Sequence, residues 1–446
     1  MTQLGMSTGL GTRADGAPSG ADATTILTVY LVLLWFVPSA MVVAELGSAG
    51  SPSTLLGIAA FFWWVWYHVR RAEATDSGVQ PVRAAMLGWL LVMLVVYAHA
   101  MAGPIVGDEI SVADNGILRL IGMAGILLLA NDGITSYERH RVLLMRLGLA
   151  AGAVAVLGLV QYVTHTLWID RLSIPGLTAG AAGWELGVRS GFARPSGTSA
   201  SPIEYGVVLA MALPILIGLV TGGSRHRWLF RVLLAATIVS IYLSVSRSAY
   251  VCALVGLMVM ALSWNLRQRL AALGFMAVAS AVMYVSVPGL LGTILGLFSN
   301  ADEDPSVASR TGSYSVAAAF ISDSPLLGRG FGTFLTKYWI LDNGYLGLLI
   351  EGGILGLAGL LAVLGAGILA ASQARRQSTD PDDRQMARAL MASIVAGAFG
   401  LAFFDTFAFP QTTGCVFLVI GLAGAMRRIS ADRARSVPTE ATGLDP

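Results

Sequence analysis

The stretch Gly344-Tyr-Leu-Gly-Leu-Leu-Ile-Glu351-Gly-Gly-Ile-Leu-Gly-Leu-Ala-Gly-Leu-Leu-Ala-Val-Leu-Gly-Ala-Gly-Ile-Leu-Ala-Ala371 carries one charge in 28 residues. Wound as a helix at about 1.5 Å per residue, it is longer than the roughly 30 Å of hydrocarbon in a bilayer. Comparable apolar runs occupy 24–45, 51–69, 84–103, 115–131, 142–164, 202–221, 228–245, 248–264, 268–287, 386–406 and 411–427. The chain has 446 residues, 55% hydrophobic and 12% charged, against about 25% charged in a soluble chain. An ordinary cytoplasmic enzyme is excluded. These runs predict an all-α polytopic membrane protein with about 12 transmembrane helices, one domain over 24–427. Residues 1–23, rich in Gly, Ala, Ser and Thr without a basic leader, predict a disordered cytoplasmic tail rather than a cleaved signal, and 428–446 a second tail.

Cytoplasmic loops collect Lys and Arg, and of the 28 basic residues all but Lys337 are arginine. With the N-terminus inside, 19 fall in cytoplasmic segments and seven outside, while Arg119 and Arg146 lie within spans. Both termini are therefore expected to face the cytoplasm. The outer arginines concentrate in two long loops, 165–201 and 288–343, the larger expected to contain short helices. Long loops in compact proteins are more often functional than filler, so any chemistry is expected to face outward. Gly148 with Gly152 and Gly352 with Gly356 have the spacing of close helix packing.

Four stretches carry candidate chemistry. In Phe192-Ala-Arg194-Pro-Ser-Gly197, an arginine entering a span either grips a phosphate with its rigid fork or snorkels as an anchor. In Ser246-Arg247-Ser248, a tight turn puts a charge at the interface, where it needs a partner or a ligand. Ser309-Arg310 through Tyr314 to Ile321 has apolar residues at helical spacing, and Asp323-Ser-Pro325-Leu-Leu-Gly328-Arg329-Gly330-Phe-Gly332 reads as a turn or as backbone N–H groups approaching an anion. Asp342-Asn343-Gly344-Tyr345 re-enters the membrane, where Asp342 is either an N-cap or a general base. Glu351, about two turns further on, is expected to pair with Arg247. Cys252 and Cys415 lie inside apolar runs, the five histidines are scattered, and neither a metal-ligand spacing nor a P-loop is present.

Together these stretches resemble the O-antigen ligase and Wzy-type polysaccharide polymerase family of bacterial inner-membrane glycosyltransferases. The resemblance covers about 190–360. It rests on Arg194 with Gly197, Ser246-Arg247-Ser248-Ala249, Arg310, the Asp323-x-Pro325-x-x-Gly328-x-Gly330 pattern, and Asn343, Tyr345, Glu351 and Gly352. It implies transfer of a glycan from an undecaprenyl-pyrophosphate donor to a glycan or glycolipid acceptor at the outer face. Neither cofactor nor metal nor nucleic acid is implied. Arg194, Arg247 and Arg310 would hold the donor phosphates and stabilise the leaving pyrophosphate, with Arg189, Arg329, Tyr314, Asn343 and Glu351 as further substrate-binding candidates. Asp342 would be the base. Ligases usually carry His before the Asn; Asp342 stands there in this chain, which tilts the reading from ligase to polymerase. The competing readings are a multi-pass transporter of a small anion or glycolipid and a non-catalytic partner of other polysaccharide assembly proteins. Carriers place polar residues at the bilayer midplane, whereas here arginines cluster toward one face.

Overall fold

The computed structural model describes residues 22–70, 79–179, 186–223, 226–299 and 305–436, without the side chains of 305–311 and 436. Most of the expected N-terminal tail and residues 437–446 lie outside the described residues. The helices are α1 (Ala23–Phe36), α2 (Pro52–Arg70), α3 (Pro81–Ala102), α4 (Gly107–Gly133), α5 (Tyr137–Thr164), α6 (Pro202–Thr221), α7 (Arg227–Leu243), α8 (Arg247–Ala261), α9 (Leu266–Ser286), α10 (Leu290–Ser299), α11 (Pro305–Asp323), α12 (Gly344–Gln377), α13 (Pro381–Gly400) and α14 (Pro410–Ser436). Six of them open on proline, whose fixed φ and missing N–H suit the first helical position. Two short antiparallel pairs join loops, β1 (Met41–Val42) with β2 (Thr178–Ala179) and β3 (Gly187–Arg189) with β4 (Phe192–Arg194).

Each apolar run coincides with a helix, and α10 and α11 fall within 288–343. Seven helices, α3, α4, α5, α6, α9, α12 and α14, are long and apolar enough to cross a membrane. The protein is an all-helical polytopic membrane protein. Two expected boundaries change. The run 24–45 is helical only to Phe36, because Pro38 restricts the preceding Val37 to extended backbone, at φ −83° and ψ 125°. At the other end α14 continues to Ser436 instead of giving way to a tail at 428. Its last turns are tied down by Arg428, which donates to the Asn131 carbonyl at 3.2 Å, and by Arg433, 3.3 Å from Asp383.

The core is built around α14 and α6, the two most enclosed of the spanning helices. Trp89 of α3 stacks on Phe417 of α14 with centroids 5.7 Å apart and donates its Nε1–H to the Gly356 carbonyl at 2.9 Å. Glycine lets α5 approach α7 closely: a Cβ at Gly152 would stand 2.7 Å from the Leu233 Cβ. By contrast α9 is almost wholly exposed, with Leu270, Leu273, Val278 and Val282 facing outward, as a lipid-facing helix requires.

α12 is broken at Gly353, which has φ 63° and ψ −168°. The loop after α11 runs alongside the break and takes over its backbone hydrogen bonds: Arg329 N to Ile350 O at 3.2 Å, Gly330 N to Glu351 O at 2.9 Å, Ile354 N to Pro325 O at 2.9 Å and Leu355 N to Leu326 O at 3.2 Å. Irregular backbone in a spanning helix persists only where its polar groups are satisfied in this way. The close approach needs two glycines, since a Cβ at Gly328 would lie 2.4 Å from the Glu351 carbonyl carbon and one at Gly353 2.3 Å from the Leu326 carbonyl carbon. Gly353→Ala meets that clash and a glycine-only backbone region costing about 1–3 kcal/mol. It is expected to lower the unfolding temperature in detergent by several degrees; an unchanged melting curve would contradict the fit.

Candidate active site

α12 begins with its own cap. Asn343 Oδ1 accepts the Tyr345 and Leu346 N–H groups, each at 3.1 Å, which satisfies donors left over at a helix start. The cap is thus Asn343 and not Asp342: the capping side chain must precede the N–H groups it serves by two or three residues. Of the two uses weighed for Asp342, capping is removed. Asn343, in turn, has its carbonyl oxygen committed to the helix.

The loop 401–409 closes over this helix start, with Gly344 N–H donating to the Leu401 carbonyl at 2.7 Å. It brings Asp405 to face Asp342. Asp405 is exposed, yet the protein packed around it raises its pKa; the Arg119 charge opposes the rise and Asp342 adds to it. Arg119 of α4 faces both Asp405 and Glu351 and donates from Nη1 to the Phe407 carbonyl at 2.8 Å, while its guanidinium lies 5.6 Å from the Phe331 ring. The arginine whose charge bears on Glu351 is thus Arg119, on α4, where the sequence pointed to Arg247. Glu351 Oε1 also accepts the Phe334 N–H at 3.1 Å, and the Gly332 N–H faces the same carboxylate. The glycine run does approach an anion, and that anion is the chain's own Glu351.

A second group forms at the turn between α7 and α8. The β3–β4 hairpin turns through Ser190 and Gly191, both at positive φ (50° and 82°), the twist that two-residue hairpins favour. It presents Arg189 and Arg194 together. Arg194 Nε donates to the Ser244 carbonyl at 2.8 Å, while its Nη2 has no hydrogen-bond partner among the described residues. Burial, and the neighbouring Arg189, pull its pKa down to about 10, which leaves it cationic at neutral pH. Arg247 opens α8 three residues beyond Ser244. The two groups share one end of the bundle: Tyr345, just inside α12, donates to the Ala398 carbonyl at 2.7 Å and lies near Cys252 of α8.

The remaining candidates lie on α11 and in the loop that follows it. Arg310 is on α11, but its side chain lies outside the described residues. Tyr314 is 57% exposed on the same helix. Arg329, expected to hold substrate, pairs with the buried Glu109 at 2.7 Å between the rings of Phe320 and Tyr338, each 4.9 Å from its guanidinium. Tyr338 donates to the same carboxylate. Beside them Lys337 pairs with Asp108, which raises the lysine's pKa.

Beneath the arginines lies a polar network that the motif reading did not single out. Glu204 of α6 is fully buried; Oε2 accepts from Ser39 Oγ at 2.9 Å and Ala200 N at 2.8 Å, and Oε1 from Gln411 N at 3.0 Å and Thr412 N at 3.3 Å. Gln161 of α5 accepts the Gly197 N–H and donates to the Gly197 carbonyl, both at 2.8 Å. Gly197 itself sits at φ 59°, where a Cβ would meet Val154 and Tyr205. The signal for Glu204 was Ser201-Pro-Ile-Glu204, the spacing of a capping box, and Ser201 does cap α6.

A helical bundle with apolar spans, arginines and carboxylates gathered at one end, and a broken helix stitched by a glycine loop defines an integral membrane protein with a built polar site. Residues 232–361 match the family model described as O-antigen ligase, and the resemblance read from the motifs is borne out over that segment. The match spans Arg247, Arg310, Arg329, Asp342 and Glu351 and leaves Arg119, Arg194, Glu204 and Asp405 outside it. No curated protein matches the chain.

Proposed function

We propose that the protein transfers a glycan from an undecaprenyl-pyrophosphate-linked donor to an acceptor sugar hydroxyl at the outer face of the cytoplasmic membrane, with polymerisation of lipid-linked repeat units favoured over ligation. The observation that carries this reading is the start of α12, where the cap falls to Asn343 and the Asp342 carboxylate stands beside Asp405, at the same end of the bundle as Arg194 and Arg247. Asp342 takes the proton of the acceptor hydroxyl as its oxygen attacks the anomeric carbon. The bond from that carbon to the pyrophosphate oxygen breaks, and the charge gathering on the departing pyrophosphate is stabilised by Arg194 and Arg247, with Arg189 and Arg310 as further cations. Glu351 holds the loop after α11 through the Phe334 N–H, and Arg119 holds the loop 401–409 through the Phe407 carbonyl.

Arg194→Ala is expected to weaken binding of a lipid pyrophosphate by roughly 10- to 100-fold, the loss of one hydrogen-bonded charge, with the fold retained because Arg194 serves only one backbone carbonyl. Titration of the purified protein with undecaprenyl pyrophosphate checks it, and equal affinity would remove Arg194 from the donor site. The break at Gly353 favours a carrier, but its backbone groups are taken up by the loop 325–330. Comparison of lipid-linked saccharides and surface polysaccharide in cells with and without the protein separates the readings. Accumulated single repeat units support a polymerase, and accumulated long lipid-linked chains a ligase. Unchanged pools in cells that express the protein would overturn transfer and favour transport.

A further inference from the structure

Three arginines meet at the opposite end of the bundle, where α12 ends and α13 begins. Arg375 is in the last turn of α12, Arg384 and Arg388 are one turn apart on α13, and the charges of Arg375 and Arg384 bear on Arg388. Like charges held together repel unless an anion sits among them. The acids of this region are engaged elsewhere. Asp380 accepts the Asp382 N–H at 2.8 Å, Asp382 accepts the Gly223 N–H at 2.5 Å, and Asp383 pairs with Arg433 at 3.3 Å and faces Tyr137. Among the described residues the side chains of Arg375 and Arg384 have no ion pair or hydrogen bond. Arg388 has a single long contact, Nη1 to Gln385 Oε1 at 3.4 Å, and its buried Nε has none.

We propose that Arg375, Arg384 and Arg388 form a phosphate-binding site whose ligand is the headgroup of an anionic phospholipid in the leaflet at this end of the bundle. Guanidinium forks match phosphate oxygens, and basic pockets between spanning helices are a known way of holding acidic headgroups. Arg388 stands about 10 Å along α13 from Pro381 at about 1.5 Å per residue, half-buried beside the fully buried Ala387 and Ala389. A headgroup whose chains lie in the bilayer can reach that depth from the side. The site is separate from the proposed transfer chemistry and does not depend on it.

The test uses the full chain in a neutral detergent, titrated in parallel with phosphatidylglycerol, phosphatidylcholine and inorganic phosphate, with the unfolding temperature as readout. Phosphatidylglycerol is expected to raise it saturably and phosphatidylcholine to leave it unchanged. The apparent affinity for phosphatidylglycerol is expected to fall at least about tenfold in Arg388→Gln, one hydrogen-bonded charge being worth that much. Arg384→Gln, at an exposed position, gives a second variant that folds whatever Arg388→Gln does, and it is expected to weaken binding in the same sense. Equal stabilisation by both lipids, or wild-type affinity in both variants, would overturn the site. Saturation by inorganic phosphate at equal affinity, lost in the same variants, would overturn the lipid as the source of the phosphate.

Discussion

Asp342→Asn is expected to cut glycan transfer by about 10²- to 10⁴-fold, the usual contribution of a positioned general base, while the unfolding temperature stays within about 2 °C of wild type. The two halves of that expectation have different sources. The loss follows because an amide cannot accept the hydroxyl proton. The unchanged fold follows because α12 is capped by Asn343 Oδ1, with two N–H groups at 3.1 Å, and Asn has the shape of Asp. Asp405 faces Asp342 and Arg119 lies behind it, so removing one of the two carboxylate charges relieves the repulsion between them. Turnover of a lipid-linked donor by the purified variant is the measurement. Activity within a few-fold of wild type, in protein of normal melting behaviour, would take the base role from Asp342. The natural second candidate would then be Asp405, which faces Asp342 and is exposed.

The helices were legible in the sequence because lipid leaves so little freedom: a run such as 202–221 has to be helical once it is inside hydrocarbon. What the pattern could not show was where such a run stops being regular. Phe36 ends α1 through Pro38, a local rule, whereas the break at Gly353 exists because Pro325, Leu326, Arg329 and Gly330 arrive from another part of the chain to take up its N–H and C=O groups. The Asp323-to-Gly330 pattern was recognisable as a glycine-rich turn; its partner was not. The site divides in the same way. Arg194, Arg247 and Asp342 stood out because charges next to spans are costly and few. Arg119 and Asp405 were absorbed into the apolar runs 115–131 and 386–406, and so Glu351 was matched to Arg247, the charge already in view. Pairing across the bundle is set by helix packing, which periodicity in one helix does not encode.

Glu204→Ala is expected to have the largest effect on stability of any single substitution in the protein. The carboxylate accepts four hydrogen bonds within a fully buried setting, from Ser39 Oγ, Ala200 N, Gln411 N and Thr412 N. Three of those donors are backbone N–H groups, which cannot rotate away, and two belong to the start of α14, where the helix leaves N–H groups without internal partners and favours negative charge. A buried donor left unmatched costs about 1–3 kcal/mol. Even with water replacing half of the lost contacts, about 2–6 kcal/mol disappears from a folding margin of about 5–15 kcal/mol. The expected result is a protein that is recovered from membranes in low yield and, for a chain of this size, melts about 2–6 °C below wild type. Glu204→Gln should fall between the two, since its amide keeps one acceptor oxygen but turns an NH2 donor toward two donors. The consequence for function is indirect and measurable. Gln411, whose N–H depends on Glu204, also donates to Thr198 at 3.3 Å, and Thr198 holds the Trp35 carbonyl at 2.7 Å, so the segment that carries Arg194 into α6 loses its anchor. Lipid pyrophosphate affinity should then fall in Glu204→Gln even in the fraction that remains folded. A folded Glu204→Gln with wild-type affinity would show that the network supports the bundle and leaves the placement of Arg194 to its bond with the Ser244 carbonyl.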